Sequence, residues 1–140
     1  MPDTDIGYER MQDVEIEITK QIRQVCSDME LLKNGWYIFI YHGERYIYMP
    51  DSKETLIRFS IPHLTLADVD NGSEDKIAAV INETNREVKF IKVMLLDNGS
   101  VSLSYDHKIT EGEQINEIVP HIIKALDFAS DYFIKKLKIA

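Results

Sequence analysis

Cysteine, proline and glycine are all scarce in this chain, and each scarcity excludes something. The one cysteine, Cys26, cannot form an intramolecular disulfide and suits a reducing compartment. With only four prolines and six glycines in 140 residues there is no Pro/Gly/Ser linker to divide the chain, so residues 1–140 read as a single domain in which 1–12 form a polar N-terminal arm. Positive charge is in deficit, 16 Lys and Arg against 24 Asp and Glu, a net −8. That balance argues against nucleic acid and anionic membrane surfaces as partners, because both demand a basic footprint. No apolar run reaches the length of a membrane span, and the acidic opening "MPDTDIGYERMQD" lacks the apolar centre of a signal peptide. A cytoplasmic address is expected. The three Asn-Xaa-Ser/Thr sequences at Asn71, Asn82 and Asn98 are then chance matches.

Reaction chemistry is equally sparse. There is no P-loop, dinucleotide fingerprint or Gly-Xaa-Ser-Xaa-Gly elbow. His42, His63, His107 and His121 stand at spacings that match no metal site. Asp68 and Asp70 in "LADVDNGSED" lack the ligand order of a calcium loop and read as turn formers. Cys26 lies one residue off the apolar stripe of its helix and reads as a small packing group. Neither a cofactor nor a metal is expected, and the chain does not read as an enzyme.

What is present is structural. Ile18, Ile22, Val25, Met29 and Leu32 recur at helical spacing, with Asn34-Gly35 as the expected stop. Three strands follow over Trp36–His42, Arg45–Met49 and Leu56–Ile61, then a helix with Ser73 as N-cap and Ile77, Val80, Ile81 and Thr84 inward. A second hairpin turns at Asp97-Asn98-Gly99, and a three-residue loop there sets Leu95, Val93 and Ile91 opposite Val101, Leu103 and Tyr105. Thr110 and Glu113 have capping-box spacing for a last helix whose stripe runs from Ile115 through Phe133 to Leu137. Pro120 inside it should kink or restart the helix near Asn116. The order is helix, three strands, helix, two strands, helix: an antiparallel α+β domain.

The stretch "WYIFIYHGERYIYM" makes a hairpin that is apolar on both faces. With a turn at Gly43-Glu44, Ile38, Ile40, Ile47 and Met49 share one face, while Tyr37, Phe39, Tyr41, Tyr46 and Tyr48 share the other. The aliphatic face is the expected floor for the helices. On the second hairpin Phe90, Met94 and Leu96 also point away from the core face. Either one of the three helices crosses to that side, or a protein partner or second copy covers it. The second reading is preferred, which makes Tyr37, Phe39, Tyr41, Tyr46, Tyr48, Phe90, Met94 and Leu96 the candidate contact residues. An alternative is a small-ligand sensor that binds an apolar molecule on the aromatic sheet face.

"INETNREVKFIKVMLLDNGSVSLSYD" (Ile81 to Asp106) and the amphipathic helix after it resemble the YbjN-like family of bacterial proteins, whose fold is similar to that of the type III secretion chaperones. The features that carry the resemblance are Asn82 and Asn85 near the helix end, the Asp97-Asn98-Gly99 turn and the alternating strand from Val101 to Tyr105. The resemblance implies a small acidic cytosolic protein without catalytic residues, acting in regulation or in chaperoning. Secretion chaperones form homodimers and hold an unfolded client segment on exposed apolar surface. A homodimer with a protein client or regulatory partner is the resulting expectation.

Overall fold

The computed structural model describes residues 2–26, 28–51, 56–66 and 74–139, with side chains from Asp13 onward. Its elements are α1 (Pro2–Val25), β1 (Met29–Leu31), β2 (Tyr37–Tyr41), β3 (Glu44–Tyr48), β4 (Leu56–Ile61), α2 (Glu74–Glu87), β5 (Lys92–Leu95), β6 (Val101–Lys108) and α3 (Ile115–Ile139). Three helices and one six-stranded antiparallel sheet, ordered β1-β2-β3-β4-β6-β5, make the α+β class expected above. Ser73, Asp68, Asp70 and Asn71 lie outside the described residues.

The first helix differs from its expectation at both ends. It begins at Pro2, so the polar arm continues it, and it stops at Val25. Met29–Leu31 is a strand paired with β2, Met29 opposite Phe39. Asn34-Gly35 therefore turns a hairpin instead of ending a helix: the Leu32 amide donates to the Trp36 carbonyl at 2.8 Å, the Trp36 amide donates to Asn34 Oδ1 at 3.0 Å, and Gly35 takes φ +91°. Asn-Gly suits either role. The free edge of β2 decided between them by offering hydrogen bonds that an isolated helical turn could not match.

The next turn falls on His42-Gly43, with φ +50° and +77°, one residue earlier than Gly43-Glu44. Tyr37 then faces Tyr48, Ile38 faces Ile47 and Phe39 faces Tyr46. Pairing slips by two relative to expectation, and an even slip leaves every side chain on its face. The second hairpin has the expected register, with Lys92 opposite Ser104, Val93 opposite Leu103 and Leu95 opposite Val101.

All three helices lie on one face of the sheet, and it is the aromatic one. α3 lies across β4 and β6, with α1 against one of its flanks and α2, which also covers β5, against the other. Phe39, Tyr46, Tyr48, Ile57, Phe59, Ile61, Leu103 and Tyr105 are buried with Ile18 and Ile22 of α1, Ile77, Val80 and Ile81 of α2, and Ile122, Leu126, Phe133 and Leu137 of α3. This corrects the expectation that the aliphatic face is the floor. An aromatic side chain buries roughly 150–250 Å², so removing these rings from water outweighs hiding Ile38, Ile40 and Ile47. Strands β4 and β6 settle the matter. Their other face carries Arg58, Ser60, Ser102, Ser104 and Asp106 in register with the aliphatic residues. The rings also stack, Phe39 on Tyr46 and Tyr48 on Phe59, each with centroids 5.3 Å apart.

α3 is one helix from Ile115 to Ile139, without the restart expected near Asn116. Pro120 lacks only the amide that would have bonded the Asn116 carbonyl, and the buried stripe on either side holds the helix together. The capping-box bonds form in the turn ahead of the helix, with Thr110 four residues before Gln114. Glu113 Oε1 accepts from the Thr110 amide at 2.8 Å and from the Thr110 hydroxyl, while Gln114 provides the carbonyl that begins the helix. Glu113 Oε2 also pairs with His107 Nε2 at 2.8 Å.

One sheet edge is closed by a side chain. Val93 donates its amide to Asn85 Oδ1 at 2.7 Å and accepts from Asn85 Nδ2 at 3.0 Å, so the carboxamide stands in for a neighbouring strand. Asn85→Ala should cost about 1–2 kcal/mol by leaving both groups without a protein partner, read as a lower urea midpoint at unchanged m. Glu113 is held below the ordinary carboxylate value of 4.5 by its bonds from Thr110, with His107 adding to them. A depressed carboxylate stabilises the fold above its unfolded pKa and loses that contribution as pH falls through the folded value. The unfolding midpoint of Glu113→Gln should thus approach that of wild type on acidification below about pH 4.5. Parallel midpoint-versus-pH curves would contradict this assignment.

Candidate protein-binding surface

Because the helices share one side, no helix among the described residues covers the other side of the sheet. On it Ile38, Ile47, Met49 and Leu96 are half-buried, and Ile40 and Met94 are 45% and 46% exposed. Alternation along the strands creates this surface: each outward residue is the pleat neighbour of a core residue. The aliphatic part lies on β2 and β3. Towards β6 it becomes hydroxylic through Ser60, Ser102 and Ser104, and Arg58 Nε pairs with Asp106 Oδ1 at 3.3 Å. A shallow groove of about 420 Å³ opens where the short β1 meets β2, lined by Asp28, Met29, Glu30, Ile38, Phe39, Ile40 and Arg45.

The sequence-derived contact residues separate into groups. Phe39, Tyr46 and Tyr48 are buried beneath the protein's own helices and are withdrawn as contacts. Tyr37 and Tyr41 are half-buried on the rim of that same helix-covered face. The Tyr37 hydroxyl donates to Glu15 Oε2 of α1 at 2.9 Å; desolvation, and then this carboxylate, push its ionisation up. Tyr41 stacks on His42 at 4.0 Å, and His42 Nδ1 lies 3.0 Å from Asp127 Oδ2 of α3. Met94 and Leu96 stand on the outer side as expected. Phe90 does not join them. It precedes β5, takes φ +69° and stacks on the inward Tyr105 at 6.1 Å, with 76% of its surface exposed. A positive φ breaks the alternation on which its placement relied. Ile38, Ile40, Ile47 and Met49, the expected floor, are surface. The polar alternation of β4 and β6 was the available signal, but no residue pattern fixes how β3 registers on β4.

Among the described residues no group of three or more His, Cys, Asp or Glu side chains is arranged to hold a metal ion, and no helix is long and apolar enough to cross a membrane. The Cys26 thiol is half-buried, and burial pushes its pKa up, away from thiolate.

No protein-family model matches the chain, and no curated protein matches it. Among solved structures, a chain in the crystal structure of the ExsC–ExsE complex superposes with a TM-score of 0.62 at 11% sequence identity, covering 92% of this chain and 96% of that one. At that identity the likeness shows the fold: α+β, of the secretion-chaperone type.

Tyr46 offers a test of how the aromatic face is packed. The residue is fully buried, and among the described residues its hydroxyl has no hydrogen-bond partner. Desolvation, together with the Asp127 carboxylate, holds it far from ionisation. Tyr46→Phe removes an unpaired buried group and should stabilise the fold by about 1 kcal/mol. A loss of similar size in chemical denaturation would mean that a bound water satisfies the hydroxyl.

Proposed function

We propose that this chain is a non-enzymatic protein-binding module of the chaperone or regulatory kind, which receives an extended apolar segment of a client on the uncovered face of its sheet and self-associates as a homodimer. The observation that carries the reading is the one-sided distribution of the helices. Among the described residues the three helices and the buried apolar core lie on one side, and Ile38, Ile40, Ile47, Met49 and Met94 remain on the other. Ile38, Ile40, Ile47 and Met49 adjoin one another on β2 and β3, and apolar surface of this kind marks interaction sites in soluble proteins; Met94 stands apart on β5, across the polar outer face of β4 and β6. The similar chain belongs to a complex between two proteins, ExsC and ExsE, which supports a protein partner by analogy of fold. Kinship with the YbjN-like family is part of the proposal and rests on the Ile81–Asp106 stretch with the order of elements around it.

The small-ligand alternative loses its surface, because the aromatic face is filled by α1, α2 and α3. Solvent-facing Tyr37 and Tyr41 edges alone do not form a pocket for an apolar molecule.

A permanently unfolded protein, reduced and carboxymethylated lactalbumin, is the probe for the client face. Wild type should bind it, and the double variant Ile40→Glu/Met94→Glu should bind at least about tenfold more weakly, with an unchanged thermal midpoint, since both positions are half exposed. Equal binding by the two proteins would remove the sheet face from consideration.

A further inference from the structure

α3 carries a second stripe on its outer side, of which the core uses only part. Its buried residues, Val119, Ile122, Ile123, Leu126, Ala129, Ser130, Phe133 and Leu137, define one side of the helix. Phe128 stands about 180° around the helix from Val119 and Leu137 at 100° per residue, and it is 62% exposed. Steps of three and four through Phe128 pass Ile118, His121, Ala125, Tyr132, Lys135 and Ile139. That is heptad spacing over three heptads. Ile118, Ala125, Phe128, Tyr132 and Ile139 are apolar or aromatic, and Ile139 is 77% exposed. Phe128 and Tyr132 already lean together, with centroids 6.4 Å apart. Ile118, Ala125 and Tyr132 are half-buried and lean on the core from this side, and His121 meets Tyr105 edge-on at 6.3 Å, so it is Phe128, with the outer edges of its neighbours, that the protomer leaves uncovered.

The charges beside the seam indicate what covers it. Glu117, Lys124, Asp131 and Lys138 flank it at intervals of seven, alternating in sign. All four are exposed, and no ion pair among the described residues engages them. Reversed end to end, the series meets itself with opposite signs, Glu117 against Lys138 and Lys124 against Asp131. In an antiparallel pair of helices such equivalent flanking positions do face one another across the seam. The same register sets the small Ala125 opposite Phe128 and His121 opposite Tyr132, so a large side chain meets a small one on both sides of the two-fold axis. A parallel pairing would put the two charged rows on opposite sides of the seam, where they could not meet.

We propose that a second copy of this chain packs antiparallel along the outer ridge of α3, through Ala125, Phe128 and Tyr132, with Glu117–Lys138 and Lys124–Asp131 pairs between protomers. The arrangement is isologous, as a two-fold dimer requires. It leaves the open sheet face of each protomer unobstructed by this contact. The inference rests on the reading of the chain as self-associating, but not on the sheet face as its client surface.

Sedimentation velocity at micromolar concentration tests it. Wild type should run at twice 16.2 kDa, and Phe128→Glu should be monomeric, its dissociation constant raised at least about 100-fold, with an unchanged circular dichroism spectrum and thermal midpoint. Lys124→Glu alone should weaken the dimer by setting a carboxylate against Asp131 at each of the two equivalent contacts, and Lys124→Glu/Asp131→Lys should restore it. Positions 124 and 131 are two turns apart on one helix, so rescue reports a contact between copies. A dimer indifferent to Phe128→Glu, or a swap that fails to rescue, overturns the α3 seam while leaving self-association intact. A monomeric wild type overturns self-association and the seam together. Ile40→Glu/Met94→Glu should remain dimeric; if it is monomeric, the sheet face is the dimer contact and the α3 assignment falls.

Discussion

A pleated sheet divides its side chains between two faces, and a small chain has only so many helices with which to cover them. In this protein the division comes first and the rest follows. Once Phe59, Tyr48, Tyr46 and Phe39 form a continuous layer of stacked rings, the side bearing Arg58, Ser60, Ser102 and Ser104 must face water. Ile38, Ile40 and Ile47 are carried to that side by alternation alone. Their exposure is the consequence of burying a larger apolar load opposite.

The edges are treated unequally, and this bears on how the open face is used. At β5 the Asn85 carboxamide occupies the outward amide and carbonyl of Val93, which makes that edge a poor template for strand addition. At the far side β1 is only three residues long, and the groove lined by Ile38, Ile40 and Arg45 opens beside it. Phe90, bent into a positive φ beyond the end of α2, is strained for a bulky residue and stays on the helix-side rim. It belongs to neither the open face nor the core. The molecule therefore presents two separate apolar features of different shape. One is a flat, aliphatic sheet surface, and the other is a narrow helical ridge at Phe128 and Tyr132. A flat pleated surface suits an extended segment, while a ridge of heptad spacing suits another helix.

Several local readings held because they rest on interactions between near neighbours. The inner residues of α2, Ile77, Val80, Ile81 and Thr84, are its buried ones. The second hairpin has its expected register because the Asp97-Asn98-Gly99 turn, with Gly99 at φ +85°, fixes it locally. The readings that failed each depended on something distant. Met29 and Leu32 have helical spacing, but Met29 joins the sheet and Leu32 the turn that follows, because β2 offers an edge. The turn moved to His42-Gly43 because the pairing it allows stacks Phe39 on Tyr46.

Period, polarity and turn chemistry in the sequence determined which segments are helix or strand, and which residues share a face, since these depend on covalent geometry and neighbours a few positions away. Only the tertiary structure decided which face the helices cover and where α1 gives way to β1. Those outcomes depend on how β3 registers on β4 and on the side from which each helix returns. Both are choices between distant parts of the chain, made by total buried area and not by any local pattern.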